Sequence, residues 1–365
     1  IKQELNNANT IFGLSFNSVI RKNDKPLFKD NFSDKSFTGG VDFSKYWGNR
    51  DYFFTVKLTG SYIEGSPSSI TGLQESQLHR FGRPDAEHVE LDTTRTSLMG
   101  SGATLRIGKQ GGQIKYGMKL SYWSPQYNIN DIGFIREADK IEQQAWVNYE
   151  SIESSGIFRK FFIELDNKVN TSFGGEITDN EIGIESRLEF QNLWSGHMRS
   201  RVVFPSFDTR VLRGGPALLQ EAYGGFQLSV RSNSSKKFFA SFNSAYWHSF
   251  NNPTNYYGFG AGIHANPINQ LSLSLNADFE KNYENFQYLD SISVTEEEST
   301  YILATMDRNI LSFTFRANYY ITPEISIQYY GSPYFSVGSF NEFKRVDKPA
   351  AKDYQERYYQ YDELE

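Results

Sequence analysis

Apolar and polar residues alternate along most of this 365-residue chain. The clearest stretch covers residues 113–149. There Ile114, Tyr116, Met118, Leu120 and Tyr122 share one parity, and Lys115, Gly117, Lys119 and Ser121 the other. Beyond a polar segment at 130–140, Ile141, Gln143, Ala145, Val147 and Tyr149 alternate with Glu142, Gln144, Trp146 and Asn148. A two-residue period predicts β-strands with one apolar and one polar face. The same alternation recurs at 54–62, 99–107, 182–190, 238–246, 257–263 and 271–279.

The pattern predicts an all-β chain of roughly 16 antiparallel strands, within 14–18, joined by alternating short turns and long loops. Long loops are expected at 64–93, 124–140, 205–220 and 280–299, and 64–93 carries no periodicity. Strands of ~10 residues exceed the ~5–6 usual in sandwiches. Together these point to a transmembrane β-barrel of the outer-membrane type, with short periplasmic turns and long extracellular loops. The barrel is assigned to 1–340, and a charged, Tyr-rich tail at 341–365 is expected to leave it. Alternation alone does not say which face is outside, because a soluble sheet shows the same period with the faces exchanged.

Composition favours the membrane. Only 38% of residues are apolar, yet 16% are aromatic, with 23 Tyr and 30 Phe. Tyr and Trp pair an apolar body with a polar tip, which suits a membrane–water interface. Mean hydropathy is −0.55, and no run approaches the ~20 apolar residues of a membrane-spanning helix. The absence of Cys excludes disulfides and thiolate metal sites, and a net charge of −6 argues against a nucleic-acid partner. The opening Ile1-Lys2-Gln3-Glu4 reads as the interior of a longer precursor.

The polar face carries Lys57, Lys115, Lys119, Glu181, Glu185, Arg187, Glu189, Arg199, Arg201, Arg231 and Arg316. Such charges could line a selective pore. Their mixed signs favour pairing across a sealed lumen, with Glu185 and Glu189 beside Arg199 and Arg201. His79 and His88 sit among acids in the 77–90 loop, without the spacing of a metal site. In the same loop Arg80, Arg83, Pro84 and Asp85 read as an ordered turn whose arginines pair with carboxylates. No cofactor motif and no catalytic constellation stands out, so no catalytic residue is assigned.

Several segments carry a resemblance: Arg80-Phe81-Gly82-Arg83-Pro84-Asp85, Thr94 to Gly100, Gly108 to Gly112, and Trp123-Ser124-Pro125. After them come Asn130-Asp131-Ile132-Gly133-Phe134-Ile135-Arg136, then Ala138-Asp139, and Ile325 to Tyr334 with Phe343-Lys344-Arg345. In order, they resemble a Bacteroidota family of outer-membrane proteins whose barrel domain has no assigned function. Its members carry an N-terminal domain similar to family-9 carbohydrate-binding modules, which is missing here. The resemblance implies an integral outer-membrane location, lipid and envelope-protein partners, and glycan contact only through the missing domain. It supplies no catalytic residues.

The expected function is a non-enzymatic anchor, platform or subunit of a cell-envelope assembly, in surface glycan handling or protein export. A porin-like channel for small or saccharide solutes is the alternative, and a barrel enzyme the third. Within the family-like loop, Asn130, Asp131, Gly133, Phe134, Arg136 and Asp139 are expected to order an extracellular loop on the barrel mouth. Ile132, Phe134 and Ile135 are its expected packing side.

Overall fold

Period-two alternation leaves each strand with one face that prefers water and one that avoids it, so neighbouring strands must align their faces as they pair. The computed structural model describes residues 1–22, 25–293 and 299–362. The chain runs β1 (Lys2–Leu5), β2 (Thr10–Ile20), α1 (Pro26–Asn31), β3 (Lys35–Trp47), β4 (Tyr52–Glu64) and α2 (Pro67–Glu75). It continues through β5 (Ser97–Lys109), β6 (Ile114–Trp123), β7 (Lys140–Ser151), β8 (Phe158–Thr171), β9 (Ile177–Phe190) and β10 (Ser195–Val203). Two short strands come next, β11 (Ser206–Asp208) and β12 (Leu218–Gln220). Then come β13 (Tyr223–Arg231), β14 (Phe238–Ser249), β15 (Asn255–Ile268), β16 (Leu271–Ser293) and β17 (Ser299–Tyr320). The chain ends in β18 (Ser326–Gly331), β19 (Tyr334–Val346), a 3-10 turn at Tyr354–Arg357 and β20 (Tyr358–Gln360). Among the described residues there are twenty strands; β1, β11, β12 and β20 are only three or four residues long, leaving sixteen longer ones. The fold class is the expected one, an all-β antiparallel sheet of the outer-membrane barrel type, but the twenty strands exceed the expected 14–18, because strands of three or four residues are too short to show a period.

Two compact units divide the chain. The first comprises Ile1–Val147, Asp166–Asn180 and Pro205–Gln220; the second comprises Asn148–Leu165, Glu181–Phe204 and Glu221–Glu365. In the first, β2 to β6 form an antiparallel meander in unbroken register, with Gly40 opposite Thr59 and Lys57 opposite Thr104. In the second, β9 pairs with β10, β10 with β13, and β13 to β17 continue as hairpins. The strand β17 then pairs with β18 and β19, whose junction holds Pro333, a residue that cannot donate to a ladder.

Exposure settles which face is outside. In the first unit Leu14, Leu58 and Met118 are 54%, 52% and 63% exposed, whereas Ser61 and Ser121 on the opposite face are buried. In the second unit Phe259, Ile263 and Leu275 are exposed, while Asn148, Glu181 and Ser249 are buried. This is the reverse of a water-soluble sheet, and it is the distribution that lipid on the apolar face requires.

Three expectations change. The loop placed at 280–299 is strand as far as Ser293, paired with β17, and resumes as strand at Ser299; residues 294–298 lie outside the described residues. Residues 280–284 stay in register with β17, but Glu280, Lys281 and Asn282 put polar groups on both faces, so the period fades there; register shifts between Glu284 and Gln287, and between Tyr288 and Asp290, then interrupt it further. The aperiodic 64–93 segment contains α2, which starts on Pro67 with the Ser66 side chain accepting from the Ser69 amide. The tail placed at 341–365 does not leave as one piece: β19 runs to Val346, and β20 returns to pair with it. Buried Lys344 donates to Thr305 Oγ1 at 2.6 Å and Asn285 Oδ1 at 3.1 Å. Arg357, 1% exposed, lies 2.7 Å from Glu221.

Candidate functional site

The long connections of the first unit fold back onto the polar face of β4 and β5 and make a cap with its own core. Ile63 and Leu98, at the long-loop ends of β4 and β5, pack with Ile70 of α2 and Phe81, flanked by Leu73, Val89 and Leu91. The loop after β6 lies directly against β5. Tyr127 donates its hydroxyl to Thr59 Oγ1 at 2.9 Å, and the Asn128 amide donates to Ser61 Oγ at 3.1 Å. The backbone comes so close that a Cβ on Gly100 would sit 2.2 Å from Tyr127 Cα. Only glycine admits that approach.

His79 is buried beneath this loop, with Nδ1 2.7 Å from the Pro125 carbonyl and Nε2 3.3 Å from Asn128 Nδ2. A carbonyl can only accept, so Nδ1 carries the proton and Nε2 accepts from the amide. Burial pushes the imidazole down to about 4, outweighing the Pro125 carbonyl's opposite pull. His79 is therefore neutral and structural at ordinary pH.

Charged pairs tie the cap together. Arg83, buried, donates from Nε to Asp85 Oδ1 at 3.1 Å, with Nη2 2.9 Å from the same oxygen and 3.6 Å from Glu176. Asp85 Oδ2 accepts from the Ala217 amide at 2.7 Å. His88 Nε2 lies 2.7 Å from Asp139 Oδ2, and Oδ1 of the same carboxylate accepts from the Phe173 amide. No hydroxyl completes this His–Asp pair among the described residues, so the geometry is a clamp rather than an activated nucleophile. Arg21 meets Asp131 through two hydrogen bonds of 2.6 and 3.1 Å, with Ser33 Oγ donating to the same carboxylate at 2.8 Å. Burial pushes Asp131 up, but the hydrogen bonds from Arg21 and Ser33 outweigh it and hold the carboxyl below its usual range.

Pro84 lies in the Arg83–Asp85 turn. Asn130 Oδ1 accepts from the Ile135 amide at 2.7 Å, and the Gly133 amide donates to the Ile129 carbonyl. Phe134 departs from expectation: it is 75% exposed, and the Arg136 guanidinium lies 5.7 Å from its ring centroid. Ile132 and Ile135 are half-buried, whereas Phe134 turns outward and does not share their packing role. Between α2, the 124–139 loop and Arg210 lies a cavity of about 660 Å³ lined in part by Arg80, Asp131, Phe134 and Arg136.

The polar-face charges are paired differently from the adjacency expected. In the first unit Lys119 Nζ is 2.5 Å from Glu142, Lys57 faces Thr104 in register, and Lys115 is half-buried. In the second, Arg199 stands opposite Glu185 in register, yet the ion pairs are Arg201–Glu181 at 2.9 Å, Arg187–Glu185 at 3.2 Å and Arg159–Glu189 at 2.5 Å. Arg199 Nε is buried without a hydrogen-bond partner. The Arg316 guanidinium lies over the Tyr330 ring. A second cavity of about 460 Å³ in this unit is lined by Lys160, Arg187, His197 and Arg231 beside Glu150 and Glu189. Among the described residues no three His, Asp or Glu side chains converge as a metal site. The partners that sequence reasoning missed are Arg21, Ser33, Glu176 and the Asn128 amide, none of which has a local signal.

Residues 74–363 match the model of the domain of unknown function DUF5916. No curated protein sequence is detectably similar. Among solved structures, the FrpB iron transporter from Neisseria meningitidis is 8% identical, covering 94% of this chain and 70% of that one at a TM-score of 0.43. The ferric-catecholate import receptor Fiu from E. coli, in its open form, is 11% identical over 94% of this chain and 71% of that one, at 0.42. An anion-selective porin from Comamonas acidovorans is 11% identical over 77% and 91%, at 0.34. None is similar enough for a ligand to be carried over.

Proposed function

The chain therefore belongs to the DUF5916 family, which assigns no activity, and we propose that it is a non-enzymatic outer-membrane β-barrel serving as anchor, platform or subunit of a cell-envelope assembly. The membrane setting is supported by the inverted faces of both units, with apolar and aromatic residues exposed and charges enclosed. The platform reading is carried by the cap. Its loops spend their polar groups on the sheet's own polar face and on each other, around an apolar core. An open conduit would instead leave that face to water. The cap's rim offers exposed Leu27, Phe28, Phe32 and Phe134, a surface suited to a protein partner in glycan handling or export.

Planar-bilayer recording tests this directly. The purified chain should give no stable conductance of solute-passing size, and affinity purification from outer membranes should retain the same envelope proteins in replicate. A stable open pore would sink the platform reading. The channel alternative draws on one observation, the polar cavity of the second unit with Lys160, Arg187 and Arg231 on its walls. With Glu150 and Glu189 on the same walls, such a conduit would pass small solutes without a strong preference for either sign.

A further inference from the structure

Within the cap, the cavity of about 660 Å³ has the size of a small-molecule site. Its walls are of two kinds. Leu78, Phe134 and Ile135 supply apolar and aromatic surface, whereas Arg80, Arg136 and Arg210 supply positive charge. The nearby acids are already engaged. Asp131 is held by Arg21 and Ser33, and Glu137 stands 3.9 Å from Arg210 and 3.7 Å from Lys140.

Arg80 is the unusual member. It is only 7% exposed, and its guanidinium bonds neutral acceptors alone, the Thr209 carbonyl and Gln77 Oε1, both at 2.5 Å. Its Nε is buried without an acceptor. The backbone holds it there in a left-handed conformation, φ 55°, which non-glycine residues adopt at a cost. Burial first, and Arg210 second, pull its pKa down to about 10 against the opposing pull of Asp208 and Glu137, and among the described residues no carboxylate lies within ion-pair distance of its guanidinium. Buried charge without an opposite charge is costly, and an incoming anion removes that cost. Arg136 lies over Phe134 and has no carboxylate partner within ion-pair distance among the described residues.

We propose that this cavity binds a soluble organic anion, a carboxylate or phosphate on an apolar or aromatic body. Arg136 and Arg210 donate to the anionic group, the buried charge of Arg80 stands behind them, and Phe134, Leu78 and Ile135 take the body. Guanidinium groups suit both anions because their donors form a planar fork. The assignment does not depend on whether the barrel conducts.

Calorimetry on the whole chain in zwitterionic lipid nanodiscs tests it, with naphthalene-2-carboxylate, 1-naphthyl phosphate, neutral 2-naphthamide and inorganic phosphate as probes. The two naphthyl anions should bind at least about 10-fold tighter than the amide, since a charged hydrogen bond is worth about that much. Arg136→Gln and Arg210→Gln should each weaken them about 10-fold. Phe134→Ser should weaken the naphthyl anions while leaving inorganic phosphate unchanged. These three side chains are partly or largely exposed, and unchanged trypsin protection at Lys140, a site that all three variants keep, would confirm that the cap is intact. Equal binding of amide and carboxylate, or native affinity in both arginine variants, would overturn the proposal. So would inorganic phosphate binding as tightly as naphthyl phosphate. Loss of binding in discs containing anionic lipid would assign the cavity to lipid headgroups and overturn the soluble ligand.

Discussion

Gly100 is the position where one added methyl group should release the cap and leave the sheet standing. A Cβ there would meet Tyr127 Cα at 2.2 Å, Tyr127 N at 2.3 Å and the Gln126 carbonyl carbon at 2.6 Å, against an ordinary contact of 3.4 Å or more. All three are backbone atoms, so no rotamer change relieves the clash, and the loop must retreat by more than 1 Å. That retreat breaks three hydrogen bonds: Tyr127 to Thr59, Asn128 to Ser61, and His79 to Pro125. At about 1 kcal/mol net for each, the closed cap loses about 3 kcal/mol. Every 1.4 kcal/mol is a factor of ten, so the open fraction rises about 100-fold. Trypsin cleavage at Arg136 or Lys140 reads that fraction when opening and closing are fast compared with cleavage. Gly100→Ala should therefore be cut about 100-fold faster, with the heat-modifiable gel mobility of the sheet unchanged. Gly72→Ala is the control, because nothing lies within 4 Å of its added Cβ and alanine favours the helix it sits in. Native cleavage rates in Gly100→Ala would refute the argument that this contact holds the loop.

Other consequences can be measured separately. Because the folded pKa of His79 is depressed from 6.5 to about 4, its contribution is complete above pH 6.5 and is lost as pH falls towards 4. The cap should weaken by roughly 3 kcal/mol across that window; His79→Gln should flatten the pH dependence of protease protection, and an unaltered profile would reject the assignment. Asp131→Asn should cost the cap about 2 kcal/mol through the weakened Arg21 contact, seen as faster hydrogen exchange in the 124–139 amides. Phe242→Lys, on the exposed apolar face, should lower stability in bilayers by about 2–4 kcal/mol, while Asn243→Lys on the polar face should not; equal effects would undo the inside–outside assignment. Arg357→Ala leaves Glu221 buried without its guanidinium partner and should cost about 3–5 kcal/mol, measured by urea unfolding in lipid vesicles.

Much of the sheet was legible because a barrel stave shows its two environments every second residue. Strands β4, β5, β6 and β14 to β16 could be read from that period, and so could the long connections at 124–140 and 205–220. Alternation alone left the orientation open, since Met118 and Lys119 alternate in the same way whichever faces lipid; ring content and strand length turned the apolar face outward, and the exposure agrees. The continuation of β16 past Glu280 was hidden first by polar residues on both faces at 280–282 and then by two register shifts after Glu284. Helix α2 did carry a local signal, Ser66 before Pro67, without a supporting apolar period over its nine residues. Ion pairs were the least legible part. Adjacent strands offered Glu185 to Arg199, but side-chain reach selected Arg187 for Glu185 and Arg201 for Glu181.

The cap's wiring explains why its pairing lay beyond local reading. Its tight contacts join different connections of the first unit: Arg21 to Asp131, Arg83 to Glu176, Asp85 to the Ala217 amide, and Arg80 to the Thr209 carbonyl. Each contact closes a long stretch of chain, so its loop-closure entropy is met only once the strands have set the loop ends in place. Cap formation is thus coupled to a completed sheet, whereas the sheet's ladders do not need the cap. Losing one connection leaves its partners as buried or half-buried charges, a larger cost than the contact alone. The cap should therefore open as a unit, at a free energy below that of the sheet. That places a cooperative element, with a buried arginine bonded only to neutral acceptors, at the long-loop end, where a partner or an anion can bias it.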